Sequence, residues 1–189
     1  MSNISLTAEY PLKGYARNFG SATVRELQDL SIYSVSQSLQ ADKTIKAVED
    51  TFATNWPKTG HSSVSSSGEF RVLGLQSDQV FVLQQHATGE RPSGNEPTLN
   101  EHSYVTDQSD SWVGLEVKGP TARAALERIC PIDLHPSVFG AGAVTRTSME
   151  HLAAIVLCID ADHYWLLSPT SSAQSFLHAV ETSFYNVSA

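Results

Sequence analysis

The stretch WVGLEVKGPTARAALERICPIDLHP, residues 112–136, decides the fold of this chain. Its apolar pattern predicts a strand from Trp112 to Val117, a tight turn at Gly119-Pro120 and an amphipathic helix that ends at Ile129. An irregular corner from Cys130 to Pro136 follows the helix. The apolar face of the predicted helix consists of Ala122, Ala125, Leu126 and Ile129.

The residues after this stretch predict a hairpin and a closing helix. The continuous apolar run from Leu152 to Ile159 is typical of a strand covered on both sides, and a turn at Asp160-Ala161-Asp162 leads into a second strand, from His163 to Leu167. Ser171 and Gln174 have the spacing of a capping box for the last helix. The inward face of that helix is predicted to consist of Ala173, Leu177, Val180 and Phe184.

The first half of the chain shows the same order of elements. Ile32 to Gln37 predicts a strand, Asp42 is expected to cap a helix, and the runs from Phe70 to Leu75 and from Val80 to Gln84 predict a hairpin. A strand, a helix and a hairpin therefore occur twice. We predict an α+β fold in which duplicated β-α-β-β half-units form a mixed or antiparallel sheet packed with helices.

The domain organisation follows from this duplication. A chain of 189 residues is long enough to bury roughly 70% of the surface that it exposes when unfolded, so we predict one α+β domain over residues 1–189. Its half-units span approximately residues 22–86 and 110–187. Residues 1–21 are predicted to form an extended arm, and residues 87–109, rich in Gly, Pro and Asn, a connecting surface loop.

Charge and composition exclude several classes of protein. The formal net charge is −8, and the Lys and Arg residues form no basic block, which argues against a nucleic-acid partner. No apolar run is long enough for a membrane span and no cationic leader precedes an apolar core, so we expect a cytoplasmic protein. Two cysteines, Cys130 and Cys158, are too few for a disulfide scaffold or a cysteine zinc site.

No residue pattern predicts chemistry. The seven histidines are scattered without metal-ligand spacing, and no nucleophile motif of the form G-x-S-x-G occurs. Asp133 and His135 lie between two prolines, where polar side chains usually bond to the backbone. Gly140-Ala141-Gly142 lacks the third glycine of a dinucleotide loop and is interpreted as a turn. We therefore predict no catalytic, cofactor-binding or metal-binding residue in this chain, and an assembly role.

Several segments, over about the C-terminal 80 residues, together resemble the gamma subunit of heterotetrameric sarcosine oxidase. The combination is fairly specific, although no single piece of it is. The segments are Val113 to Pro120 with the helix after it, the Cys-Pro-Ile-Asp-Leu-His sequence at 130–135, Ala143 to Thr147 and Tyr164 to Leu167.

The resemblance implies a small non-catalytic subunit that stabilises a four-chain flavoenzyme, mainly through its alpha subunit. Such a complex oxidatively demethylates sarcosine to glycine with O2, giving H2O2 and formaldehyde or methylenetetrahydrofolate. In that family FAD and covalent FMN belong to the beta subunit, NAD and tetrahydrofolate to the alpha subunit, and zinc to the delta subunit. The gamma chain itself is similar to a shortened folate-binding aminomethyltransferase.

Two other functions remain open from the residues. One is a stand-alone folate-binding module whose ligand lies in a cleft between the half-units. This hypothesis is weakened because the K-G-C-Y-x-G-Q-E signature of stand-alone folate-dependent relatives is missing. The other is an independent hydrolase that uses Asp133 and His135.

Overall fold

A computed structural model describes residues 9–86, 99 and 101–188. The described helices are α1 (Ala41–Phe52), α2 (Ala122–Leu126) and α3 (Ala173–Ser188). Within the described chain, no helix is both long and apolar enough to cross a membrane. The strands are β1 (Ala16–Phe19), β2 (Ala22–Glu26), β3 (Leu30–Gln37), β4 (Ser62–Val64), β5 (Phe70–Gly74), β6 (Gln79–Gln85), β7 (Ser103–Asp107), β8 (Trp112–Lys118), β9 (Val144–Met149), β10 (Leu152–Asp160) and β11 (His163–Pro169).

The strands form two sheets with equivalent connectivity. The first sheet has the order β1-β2-β8-β11-β10-β9 and the second the order β4-β5-β6-β3-β7. The series β3-α1-β4-β5-β6 in the second sheet corresponds to β8-α2-β9-β10-β11 in the first. Neighbouring strands pair antiparallel in both sheets. The α+β class and the duplication are therefore confirmed, with one more strand in each repeat than predicted.

Three hydrophobic clusters arrange these elements in four layers. The cluster between the sheets joins Leu73 and Phe81 of the second sheet to Ile155 and Leu167 of the first. A second cluster packs α2 and α3 against the outer face of the first sheet, and a third packs α1 against the outer face of the second. The order is helices, sheet, sheet, helix, and each sheet has an inner face that meets the other.

Most of the predicted elements are present. The strands predicted at Trp112 to Val117, at Leu152 to Ile159 and in the Phe70 to Gln84 hairpin are confirmed. The closing helix is confirmed as well, and all four residues of its predicted inward face are buried. These segments were predictable because the strands are mostly apolar runs that are buried nearly throughout, and the helix buries residues at helical spacing.

Strands at or near the sheet edges were missed. β9, with the sequence VTRTSM, and β4, with SSV, are the outermost described strands at one end of their sheets, and two thirds of their side chains are polar and at least partly exposed. β1 lies inside the predicted arm, and β7 lies inside the predicted loop at 87–109. Such strands lack the apolar alternation that marks a buried strand.

The half-unit boundaries stay a prediction. β2 begins the first predicted half-unit but pairs with β8 of the second, and β7 pairs with β3. Each repeat thus takes its last strand from outside the β-α-β-β-β series. Residues 1–8 of the predicted arm, and 87–98 and 100 of the predicted loop, lie outside the described residues.

Three helix boundaries differ from the predictions. Asp42 does not cap α1, because the N-cap position is held by Gln40 and Asp42 lies in the first turn, where its charge still favours the helix dipole. The capping box at Ser171 is also wrong, since a 3-10 turn precedes α3 and the Gln174 amide donates to the carbonyl of Pro11 at 3.4 Å. α2 ends at Leu126 rather than Ile129.

Candidate functional site

A carboxylate held by three donors is the main polar feature of the sheet interior. Val113, Leu115 and Val117 of β8 face the helices, so Glu116 points to the inner face. Its Oε1 accepts hydrogen bonds from Nε2 of His163 at 2.8 Å and from Nε1 of Trp165 at 3.3 Å. Its Oε2 accepts a hydrogen bond from Nε of Arg25.

The charge state of Glu116 follows from these contacts. Glu116 is 9% exposed, and burial would raise the pKa of its carboxyl group. The hydrogen bonds from Arg25, His163 and Trp165 outweigh burial, and the pKa is lowered. Glu116 therefore stays ionised at neutral pH. An ionised carboxylate can accept hydrogen bonds and orient its partners, but it cannot donate a proton.

A groove of about 380 Å³ adjoins this carboxylate. Pairing aligns Ala16 of β1 with Arg25 of β2 and Arg25 with Glu116, so the groove crosses neighbouring strands on the inner face. It contains the cations of Arg25 and Lys118 beside the anion of Glu116, and is suited to hold a carboxylate or another anionic group. We call this surface the basic groove, defined by Ala16, Asn18, Thr23, Arg25, Glu116 and Lys118.

A second groove, of about 630 Å³, lies beside α3 on the other side of the first sheet. It is lined by Arg128, Glu150 and His178, whose side chains are exposed. Glu150 and His151 form the β9–β10 turn and have φ values of 46° and 68°. Positive φ values at both residues of a two-residue turn match the right-handed twist of the strands that the turn connects. This groove has both acidic and basic side chains. Among its described residues, no carboxylate accepts hydrogen bonds from three side chains as Glu116 does.

The structure places Asp133 and His135 in an exposed corner. Oδ1 of Asp133 accepts a hydrogen bond from the backbone N–H of His135 at 2.8 Å, and Nδ1 of His135 lies 2.7 Å from Oγ of Ser137. The Asp133 side chain thus stabilises a turn by its hydrogen bond to the backbone, as predicted for this proline-flanked corner. Both side chains are used in local hydrogen bonds that shape the loop.

The glycine pair is a turn, as predicted. The N–H of Ala143 donates to the carbonyl of Gly140 at 2.9 Å, and Gly142 has a φ of 83°. Gly142 also accepts a hydrogen bond from the N–H of Ser62 at 2.7 Å, which links the edges of the two sheets. A strand, β9, follows this turn, whereas a dinucleotide loop leads into a helix.

The histidines and cysteines of the described chain form no cluster with metal-ligand geometry. Within residues 9–86, 99 and 101–188 no three His, Cys, Asp or Glu side chains are grouped in a way that could hold a metal ion. Cys130 and Cys158 are free and buried, and burial raises the pKa of both thiols. Both thiols are therefore protonated at neutral pH and are poor nucleophiles.

Sequence reasoning missed the Glu116 cluster. Its four members come from three strands and are separated by up to 140 positions, so no local motif joins them. One signal was available. A glutamate within the strand pattern Val-Gly-Leu-Glu-Val-Lys occupies an inward position, where an unpaired charge would be costly and partners must be found.

Comparison with known proteins places this geometry in context. No family model matches the chain. Three curated relatives carry the name sarcosine oxidase subunit gamma: those of Corynebacterium sp. strain U-96 (32% identical over 104 residues, 55% of this chain and 45% of the relative), Corynebacterium sp. strain P-1 (32% over 73 residues, 39% and 36%) and Arthrobacter sp. (28% over 98 residues, 52% and 48%). The chain thus spans about half the length, or less, of the curated relatives that it matches.

Solved structures with a similar fold agree with these relatives. A chain of heterotetrameric sarcosine oxidase from Corynebacterium sp. U-96, solved in complex with pyrrole 2-carboxylate, matches with a TM-score of 0.77 at 21% identity, over 89% of this chain and 86% of that chain. Glycine cleavage system aminomethyltransferase T from Bartonella henselae matches with a TM-score of 0.60 at 12% identity, over 85% of this chain and 45% of that chain. The predicted aminomethyltransferase-like fold is confirmed, and the chain is similar in sequence to the gamma subunits of sarcosine oxidase.

Proposed function

We propose that this chain is the gamma subunit of a heterotetrameric sarcosine oxidase. The observation that carries the proposal is its sequence similarity to three proteins with that name. The complex would oxidatively demethylate sarcosine to glycine with O2, giving H2O2 and formaldehyde or methylenetetrahydrofolate. This chain would contribute no catalytic group and would stabilise the assembly, mainly through the alpha subunit.

The surroundings of its reactive side chains support a structural role. Burial keeps both thiols protonated, three hydrogen bonds hold Glu116 ionised, and Asp133 is bonded to the backbone of its own corner. These surroundings support the proposal that each group maintains the shape of the chain. FAD, FMN, NAD, tetrahydrofolate and zinc would accordingly belong to the alpha, beta and delta subunits, as the resemblance implies. We propose the cytoplasm as the compartment, since both cysteines are free thiols.

Co-purification tests this function. A tagged copy of the chain is expressed together with the alpha, beta and delta subunits, and we expect it to capture all three in a complex with a flavin absorbance spectrum and sarcosine-dependent H2O2 production. The tagged chain by itself should be colourless and inactive. A stable monomer that captures no alpha subunit would overturn the proposal.

A folate-binding module is the second candidate. The likeness to aminomethyltransferase T supports it at the level of fold, and the basic groove offers Arg25 and Lys118 as partners for the carboxylates of a folate. Fold alone does not confer such an activity, and a volume of about 380 Å³ is at the low end for a ligand pocket. Calorimetry of the chain with tetrahydrofolate decides the matter. Micromolar binding that Arg25→Gln weakens would favour this candidate, and the absence of detectable binding at two temperatures would remove it.

A further inference from the structure

Among the strands of the described residues, β1 is an edge of the first sheet. It pairs with β2 on one side and is the outermost strand in the sheet order. The N–H of Glu26 donates to the carbonyl of Tyr15 at 2.7 Å, and in an antiparallel ladder the bonded pairs alternate. The backbone groups of Ala16 and Asn18 therefore point away from β2. Such an edge is a template for a further strand unless it is protected.

The basic groove lies directly beside this edge. Arg25 on β2 has the small Ala16 as its neighbour on β1, so no bulky side chain separates the edge from the Arg25 guanidinium. Lys118, an exposed cation, lies on the same inner face. The groove has two cations against one anion, in a chain whose formal net charge is −8. Its charge is therefore complementary to an acidic segment.

Arg25 is held in place before anything binds. Glu116 receives two hydrogen bonds from His163 and Trp165, which fix its carboxylate, and it binds Arg25 through Nε. The terminal nitrogens of Arg25 make no hydrogen bond within the described chain, and its side chain is 57% exposed. An arginine positioned in this way loses little entropy when it binds a carboxylate with two parallel hydrogen bonds.

The opposite face of the edge carries a second fixed guanidinium. Arg17 of β1 points toward the helices, where it binds Glu181 at 3.2 Å and lies 5.0 Å from the centre of the Tyr185 ring. Side chains of an added strand alternate between the two faces of the sheet. Acidic residues at neighbouring positions would therefore meet Arg17 on one face and Arg25 with Lys118 on the other.

We propose that an extended, acidic segment of a partner subunit adds to the first sheet at β1, with a carboxylate bound by Arg25 and Lys118 in the basic groove. This inference rests on the proposed function, because it requires that the chain is a subunit of a larger complex. It specifies the surface and the chemistry of the contact. Strand addition supplies affinity through main-chain hydrogen bonds, and the cations select the acidic side chains.

Amide hydrogen exchange in the co-expressed wild-type complex tests the strand addition directly. We expect the amides of Ala16 and Asn18 to exchange at least about tenfold more slowly than the outward amides of β7, the outermost described strand at one end of the second sheet. Exchange of these two amides at the rate of a solvent-exposed strand would overturn the inference. This measurement needs no variant, so misfolding cannot imitate the result.

Paired variants test the charges. Arg25→Gln together with Lys118→Gln should raise the Kd of the chain for the other subunits by at least about tenfold, and the remaining binding should depend less on salt. Arg128→Gln, at the groove beside α3, is the matched control and should leave the Kd unchanged. An unchanged Kd in the double variant would overturn the role of the basic groove. If the wild-type chain captures no subunit, the proposed function itself fails, an outcome distinct from capture that is insensitive to these substitutions.

Discussion

Glu116 of β8 and His163 of β11 are diagonal neighbours joined by a hydrogen bond of 2.8 Å at the border between the sheet interior and the basic groove. The side chains of both residues are largely buried, at 11% and 16% exposure. The same carboxylate accepts from Trp165 and Arg25, so one residue organises the polar end of the inner face.

Removing this charge should destabilise the fold in a pH-dependent way. Glu116→Gln keeps one acceptor oxygen and replaces the other with an amide NH2 group, so at least one donor of His163, Trp165 or Arg25 loses its acceptor and the ion pair with Arg25 loses its negative charge. The free energy of unfolding should fall by about 1–3 kcal/mol at pH 7. The pKa of Glu116 is lowered in the folded state, so its contribution is present above the ordinary Glu value of about 4.3 and is lost as pH falls through the lowered value. Urea unfolding at pH 7 and pH 3 should show the difference shrinking. Glu127→Gln, in an exposed pair with Arg123, should cost less than about 0.5 kcal/mol at either pH.

Gly119 should not tolerate a side chain. Its φ is 131°, and a Cβ there would lie 2.6 Å from Cα of Ala22 and from the carbonyl oxygen of Ser21. Gly119→Ala should therefore lower the free energy of unfolding by about 2–4 kcal/mol. Gly20→Ala is the control, since Gly20 has a φ of 59° and no atom within 4 Å of the added Cβ, and it should cost about 1 kcal/mol. Equal losses in chemical denaturation would contradict the steric explanation.

Substitution of a buried and of an exposed leucine should have different effects on stability. Leu126 of α2 is completely buried between the helices and the first sheet, whereas Leu39 is fully exposed. Leu126→Ala should lower the free energy of unfolding by about 2–5 kcal/mol, because it removes buried methyl groups and leaves a cavity. Leu39→Ala deletes the same atoms at a position where they are exposed to solvent, and it should change stability by less than about 0.5 kcal/mol. Thermal unfolding of both variants measures the contrast.

The two thiols should be unreactive in the native protein. Burial raises the pKa of both, and the charges of Asp160 and Asp162 add to the rise for Cys158. The thiolate fraction at pH 8 is therefore small, and iodoacetamide should label the folded chain far more slowly than the same chain in urea. Mass spectrometry counts the labels. Complete labelling of the native protein within the time needed for the urea sample would refute this prediction.

Local apolar patterns in the sequence were enough to predict the central elements of the fold. The strands at Trp112 and Leu152 and the hairpin from Phe70 are mostly apolar runs that are buried nearly throughout, and the closing helix buries residues at helical spacing. The hydrophobic effect buries such segments wherever they lie in the chain. The repeated order of these elements was sufficient to predict a duplicated α+β fold. The quoted motifs from Val113 to Leu167 were sufficient to predict the resemblance to the gamma subunits.

Long-range pairing determined the rest. β2 pairs with β8, although the strands of the second sheet lie between them in the sequence. β1 is added at the edge of the first sheet through its pairing with β2. The Glu116 cluster exists because cross-strand register places Arg25 and Trp165 opposite Glu116. Register depends on contacts between residues that are 49 and 91 positions apart, and no local pattern encodes such distances.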